Sequence, residues 1–191
     1  MSAQKIAIMA SGSGSNAQKI IEYFSDNLNI KVDCLLSNNP RAYALERAKN
    51  LGIDTFIFDR HQFYDSLFIE NLLLERRINL VVLAGFLWLV PEKLVQRFKI
   101  INIHPALLPK YGGKNMYGNR VHQAVIDNKE PFSGITIHYV NEVYDDGKII
   151  FQAECPVDPS DTAESLAEKI HQLEHRYYPE VIGRLLSGQA E

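Results

Sequence analysis

Apolar positions along the chain fall in short unbroken runs separated by stretches with helical spacing. Lys5–Met9, Val32–Leu36, Thr55–Phe58, Leu80–Ala84 and Ile100–His104 read as strands. Between them, Asn16–Phe24, Ala42–Leu51, His61–Arg77 and Glu92–Phe98 read as helices; in the first, Ile20, Ile21 and Phe24 share one apolar face. A strand that is apolar throughout must be covered on both sides, so this alternation predicts a mostly parallel sheet between two helical layers. Beyond His104 the pattern changes. A loop over Tyr111–Gly118 leads to a helix over Arg120–Asn128. Strands over Gly134–Val140 and Lys148–Cys155 are joined by Asn141–Gly147, a link too short for a parallel crossover, so the two should pair antiparallel. A final long helix spans Ala163–Leu186. The expected fold is an α/β, Rossmann-like three-layer sandwich. It has a mostly parallel central sheet, an antiparallel C-terminal strand pair and a long C-terminal helix. No repeat or linker divides residues 1–191, which read as a single domain.

Composition narrows the class of partner. At 191 residues, 46% hydrophobic and 23% charged, the chain can build one sizeable core and resembles ordinary soluble proteins. A net charge of −3 argues against nucleic acid as a partner, although local backbone amides can still hold a small anion. No apolar stretch reaches the ~18 residues of a membrane span, and no basic leader with an apolar core opens the sequence. The two cysteines, Cys34 and Cys155, lie in apolar runs without metal-type spacing and read as buried reduced thiols. Together these features predict a cytoplasmic protein.

Candidate chemistry concentrates at two strand ends. Gly12-Ser13-Gly14-Ser15-Asn16-Ala17 fits the loose dinucleotide pattern between a strand and a helix. A dinucleotide site also expects an acid after the second strand, where this chain has Ser37-Asn38-Asn39. The loop is therefore read as a cradle for one phosphate at a helix N-terminus, with a tight structural turn as the alternative. Gly112-Gly113-Lys114 lacks the leading glycine and the Ser or Thr of a nucleotide-phosphate loop.

At the fifth strand, period-2 alternation sends Asn102 and His104 to one face, and Pro105 and Pro109 end the strand. An amide donor beside a titratable ring suits a reaction in which a carbonyl oxygen becomes an oxyanion while a proton moves. Asp145 adds a carboxylate that favours the charged imidazole and can hold a relaying water. Read alone, Asp145 is a turn residue and His104 a strand-end histidine bonded to backbone. Among the six histidines, His138 lies on a strand, and His61, His122, His171 and His175 lie on helices. His171 and His175 share a helix face, but their arrangement is read as surface rather than metal.

These residues resemble the folate-dependent formyltransferases over essentially the whole chain, and within them the phosphoribosylglycinamide branch. The resemblance rests on Ser11–Asn16, Leu83-Ala84-Gly85-Phe86, Asn102–Tyr111, the set His138, Asp145 and Gly147, and Glu174-His175 followed by Tyr178-Pro179. It implies formyl transfer from 10-formyltetrahydrofolate, a co-substrate used without metal, to the amine of 5-phosphoribosylglycinamide in purine biosynthesis. It further implies that Gly14, Ser15 and Asn16 bind the phosphate, and that His171, Gln172, Leu173 and Glu174 reach the ribose and glycinamide end. Asn102 would bond the formyl oxygen. His104 would help hold that oxyanion and protonate the departing folate nitrogen, with its pKa raised by Asp145. Leu87, Trp88, Leu89 and Val90, with Asn102 and the loop Asn141, Glu142, Val143, Tyr144 and Asp145, would clasp the pterin. Arg60 is the candidate partner of the folate glutamate tail.

Three departures from the family stand out. Trp88 occupies a position where an arginine is frequent, Asp146 replaces a glycine, and the segment Gly113–Asn119 is longer and richer in glycine and tyrosine. The expected assembly is a monomer or homodimer. Competing functions are a formyltransferase for an amino sugar or methionyl-tRNA, a formate-releasing hydrolase, a dehydrogenase, and a non-catalytic phosphosugar-binding protein.

Overall fold

The structure, a computed structural model, describes residues 3–188. The strands are β1 (Gln4–Met9), β2 (Ile30–Ser37), β3 (Asp54–Ile57), β4 (Leu80–Leu83), β5 (Ile100–His104), β6 (Phe132–Tyr139) and β7 (Ile149–Pro156). The helices are α1 (Ser15–Tyr23), α2 (Tyr43–Asn50), α3 (Arg60–Tyr64), α4 (Phe68–Glu75), α5 (Glu92–Arg97), α6 (Asn119–Asp127) and α7 (Ala163–Leu186). The strands form one sheet in the order β3-β2-β1-β4-β5-β6-β7.

Strand β1 sorts the core into two layers because successive side chains point to opposite faces. Ile6 and Ile8 join the cluster beneath α1, α2, α6 and α7, whereas Ala7 and Met9 join the one beneath α3, α4 and α5. The three-layer expectation therefore holds.

The sheet order reverses direction between β2 and β4, both of which pair with β1 in parallel. Ligand crevices of open α/β sheets form at the carboxyl ends of strands at such a switch point. The loops after β1, β4 and β5 meet there. Tyr178 of α7 fixes this end from below, its buried hydroxyl donating to the carbonyl of Leu83 at 2.9 Å and standing 3.3 Å from that of Ile101.

Two features depart from the sequence reading. Residues 61–77, expected as one helix, are broken between α3 and α4. Asp59 and Gln62 form a capping box that starts α3, and the Ser66 hydroxyl takes the Phe68 amide, turning the chain out of the helix. Lys93 from α5 then donates to the carbonyls of Tyr64 and Ser66 at 2.8 and 2.7 Å, satisfying the exposed end of α3. The second departure is at β6, which is antiparallel to β5 as well as to β7. That pairing sets His138 directly opposite Asn102.

Neither cysteine is in a disulfide: Cys34 is buried and Cys155 only half-buried. Burial pushes the Cys34 thiol up to about 12. Among the described residues, no helix is long and apolar enough to cross a membrane.

Candidate active site

A cavity of about 430 Å³ runs along the carboxyl ends of β1, β4 and β5. At one end is the loop after β1. Gly14 adopts φ 74, and a Cβ there would stand 2.5 Å from the Cβ of Ala44, so both the backbone and the space demand glycine. No side chain caps α1, which leaves its first amides open to the cavity edge. Asn16 donates to Glu174 Oε2 at 2.9 Å, joining the loop to α7. Burial pushes the Glu174 carboxyl up, against the opposing influence of Asn16 and His171.

At the other end, Asn102 and His104 meet Asp145. Asn102 Nδ2 lies 3.4 Å from Asp145 Oδ1, and His104 Nδ1 lies 3.4 Å from Asp145 Oδ2. The same carboxylate accepts the Gly113 amide at 3.0 Å, which draws in the loop before α6. Asp145 is held at φ 55, a left-handed conformation that aspartate tolerates better than most residues. Gly147 makes the turn feasible, since a Cβ there would fall 1.7 Å from the Tyr139 carbonyl oxygen.

Hydrogen-bond partners fix the ring tautomers. The His104 Nε2–H donates to the Tyr111 carbonyl at 2.8 Å, because a carbonyl can only accept. His138 Nδ1–H likewise donates to the Tyr139 carbonyl at 2.9 Å. With Nδ1 so engaged, His138 turns Nε2 toward both Asn102 Nδ2, 3.2 Å away, and Asp145 Oδ1, 3.7 Å away. Asn102 is thus held by His138 and Asp145 together.

The electrostatics of His104 depart from expectation. Asp145 does pull its pKa up, but burial pulls harder in the other direction and the net shift is downward. The ring is thus neutral in the resting protein, with its Nδ1 lone pair facing a carboxylate. Burial pushes the Asp145 carboxyl up, yet the neighbouring imidazoles of His138 and His104 and the Gly113 amide outweigh it and hold Asp145 below its usual range.

Of the residues expected at the site, Gly14, Ser15, Asn16, Leu87, Trp88, Leu89, Val90, Asn102, His104, Asn141, Val143, Tyr144, Asp145, His171 and Glu174 line the cavity. Arg60, Glu142, Gln172 and Leu173 do not. The helical period explains α7: His171 and Glu174 share one face, while Gln172 points to solvent and Leu173 packs on the core. Glu142 is exposed on its loop. Arg60 lies outside the cavity, its guanidinium 5.3 Å from the ring centres of both Tyr64 and Trp88. Trp88 itself reaches the cavity from an aromatic cluster with Phe58, Phe63 and Phe86. Asp146 bonds back to Asn141 at 3.1 Å and so ties the loop to itself.

Two cavity histidines have no role assigned from sequence. His138 is one, and the signal was its place on a strand whose pairing with β5 was not anticipated. His122 of α6 is the other: it is buried, its Nδ1 has no partner, and burial lowers its pKa to about 4. Among the described residues, no group of three or more His, Cys, Asp and Glu could hold a metal ion.

The sequence matches the family described as formyl transferase over residues 4–182. It is 38% identical over 193 residues to the phosphoribosylglycinamide formyltransferase of Haemophilus influenzae, covering 97% of this chain and 89% of that protein. The Bacillus subtilis protein of the same name is 36% identical over 190 residues, covering 96% and 95%. The chloroplastic phosphoribosylglycinamide formyltransferase of Arabidopsis thaliana is 41% identical over 190 residues, spanning 95% of this chain but 65% of that longer protein. Among solved structures, the phosphoribosylglycinamide formyltransferase of Anaplasma phagocytophilum has a TM-score of 0.88 at 37% identity, with 97% of this chain and 88% of that chain covered.

Proposed function

The chain belongs to the formyl transferase family, and we propose that it moves the formyl group of 10-formyltetrahydrofolate onto the amine of 5-phosphoribosylglycinamide. The observation that carries this reading is the distance-matched convergence of Asn102 and His104 on Asp145, each 3.4 Å away, in a cavity that also reaches an uncapped helix N-terminus. One end suits a carbonyl oxygen gaining charge; the other suits a phosphate.

In this mechanism the phosphate sits against Gly14, Ser15 and Asn16, and Glu174 and His171 face the ribose and glycinamide. The apolar side chains of Leu87, Trp88, Val90 and Val143, which line the same cavity, suit a pterin ring. The amine nitrogen attacks the formyl carbon, and the carbonyl electrons move onto oxygen to give a tetrahedral intermediate. The Asn102 amide donates to that oxygen, held in orientation by His138. Asp145 favours a proton on His104 Nδ1 as negative charge develops nearby, offsetting the burial that keeps the ring neutral at rest. The attacking amine loses one proton, and the folate nitrogen gains one as the carbon–nitrogen bond to it breaks. Asp145 positions the water that carries this proton, and His104 takes it up and delivers it at Nδ1, the nitrogen that faces Asp145, while Nε2–H stays bonded to Tyr111.

The continuous seven-stranded sheet supports treating residues 1–191 as one formyltransferase domain. The free thiols support a reducing, cytoplasmic location. The test is an absorbance assay with 10-formyltetrahydrofolate, with and without 5-phosphoribosylglycinamide. Tetrahydrofolate formed only with the ribonucleotide supports the proposal. Formation without it indicates a hydrolase, and no formation overturns the acceptor assignment.

A further inference from the structure

In the loop that cradles the phosphate in this reading, each carbonyl from Ser11 to Gly14 accepts a hydrogen bond from the protein. The Ser11 carbonyl accepts from Asn39 Nδ2 at 3.2 Å, and the Gly12 carbonyl from the Ala44 amide at 3.1 Å. The Ser13 carbonyl accepts from Arg47 Nε at 3.0 Å, and the Gly14 carbonyl from the Gln18 amide at 2.9 Å. In a trans peptide the carbonyl and the next N–H point in opposite directions. Anchoring each carbonyl within the protein therefore turns the following amide the opposite way, and Ser13, Gly14 and Ser15 line the cavity. Among the described residues, the amides of Ser13, Gly14 and Ser15 make no hydrogen bond to the protein. Three of the four anchors are backbone amides or a neutral side chain. The fourth, Arg47, is a charged side chain.

We infer that Arg47 is a positioning residue for the phosphate: its hold on the Ser13 carbonyl sets the Gly14 amide in the orientation that receives the anion. This rests on the proposed reading of the site. Arg47 does not line the cavity, so it acts from behind the loop rather than by contact. Its guanidinium is itself fixed, bonded to Gln18 Oε1 and lying 4.8 Å from the Tyr43 ring centre. A planar fork braced at two points can hold a carbonyl in one direction, which a flexible ammonium does less well. The half-buried cation also adds a favourable charge near the bound dianion.

The test uses the Arg47→Met and Arg47→Lys variants with two readouts. In steady-state kinetics, Arg47→Met should raise KM for 5-phosphoribosylglycinamide roughly tenfold or more, the scale of a hydrogen bond from a charged donor. KM for 10-formyltetrahydrofolate and kcat should stay close to wild type, and Arg47→Lys should fall between. In ¹⁵N-labelled protein, the Gly14 amide should shift in the free variant, and inorganic phosphate should titrate it more weakly. An unchanged ribonucleotide KM with an unmoved Gly14 signal overturns the inference, as does an equal rise in both KM values. If Arg47→Met does not fold, Arg47→Lys carries the same comparison. The phosphate titration needs no turnover, so it still tests Arg47 if wild-type protein proves inactive on the ribonucleotide.

Discussion

His104 Nδ1 faces Asp145 Oδ2 across 3.4 Å with the far side of the ring already committed to the Tyr111 carbonyl. A neutral ring in this setting gains little from the carboxylate, whereas a protonated one is paired on both sides. Asp145→Asn removes the charge while keeping a side chain that tolerates the left-handed backbone at φ 55. The variant should fold with near-normal stability, and turnover should fall by ~10²-fold or more, the scale of a lost proton-handling group. Because Asp145 raises the His104 pKa against burial, its loss should lower that pKa further. An NMR titration of His104 in wild type and variant checks the direction. An unchanged titration with normal turnover would sink the assigned pairing.

Asn102 is held on two sides, by His138 at 3.2 Å and Asp145 at 3.4 Å, so its amide is oriented before substrate arrives. Asn102→Ala should lower kcat by ~10²–10³, as removal of an oxyanion donor does, with smaller changes in either KM. A variant that loses affinity but keeps kcat would move Asn102 from transition-state stabilisation to ground-state binding.

Much of this arrangement was legible because it follows from periodicity. Asn102 and His104 share a face by strand alternation, and the loop after β1 opens a helix as its glycines and serine suggest. What escaped reading depends on contacts between distant segments. The break between α3 and α4 carries only a weak local signal, Ser66, and is sealed by Lys93, a residue of another helix. His138 became part of the site through the antiparallel pairing of β5 with β6, while a run of apolar strands pointed only to parallel partners. The sign of the His104 shift was missed for a related reason. A neighbouring carboxylate can be guessed from sequence, but the depth of burial that outweighs it cannot. A contiguous site segment over residues 171–174 is too broad at Gln172 and Leu173, because a helix presents only every third or fourth residue to one side.

The two glycines flanking Ser13 should differ sharply in their response to the same added methyl group. At Gly14 a Cβ meets Ala44 at 2.5 Å in a φ 74 backbone, so Gly14→Ala should destabilise by on the order of 3 kcal/mol from strain and overpacking. At Gly12 nothing lies within 4 Å of the added atom, so Gly12→Ala should change stability by less than about 1 kcal/mol. Urea unfolding of both variants checks the contrast. Equal stabilities would mean that α2 does not pack against the loop as described.

His122 supplies a pH dependence whose sign is set by burial. Its pKa is lowered from 6.5 to about 4 in the folded protein, so below 6.5 the unfolded chain binds a proton that the folded chain does not. Stability contributed by the neutral ring is therefore complete above pH 6.5 and lost progressively as pH falls toward 4. The full loss is roughly 3 kcal/mol at most, from the size of the shift. His104 and His175, also lowered mainly by burial, contribute with the same sign and are present in both proteins of the comparison. His122→Gln removes only the ring at position 122. Urea unfolding at pH 7.5 and 4.5 should therefore show a smaller loss of stability in the variant than in wild type. Equal losses would mean that His122 is as easily protonated in the folded state as in the unfolded chain.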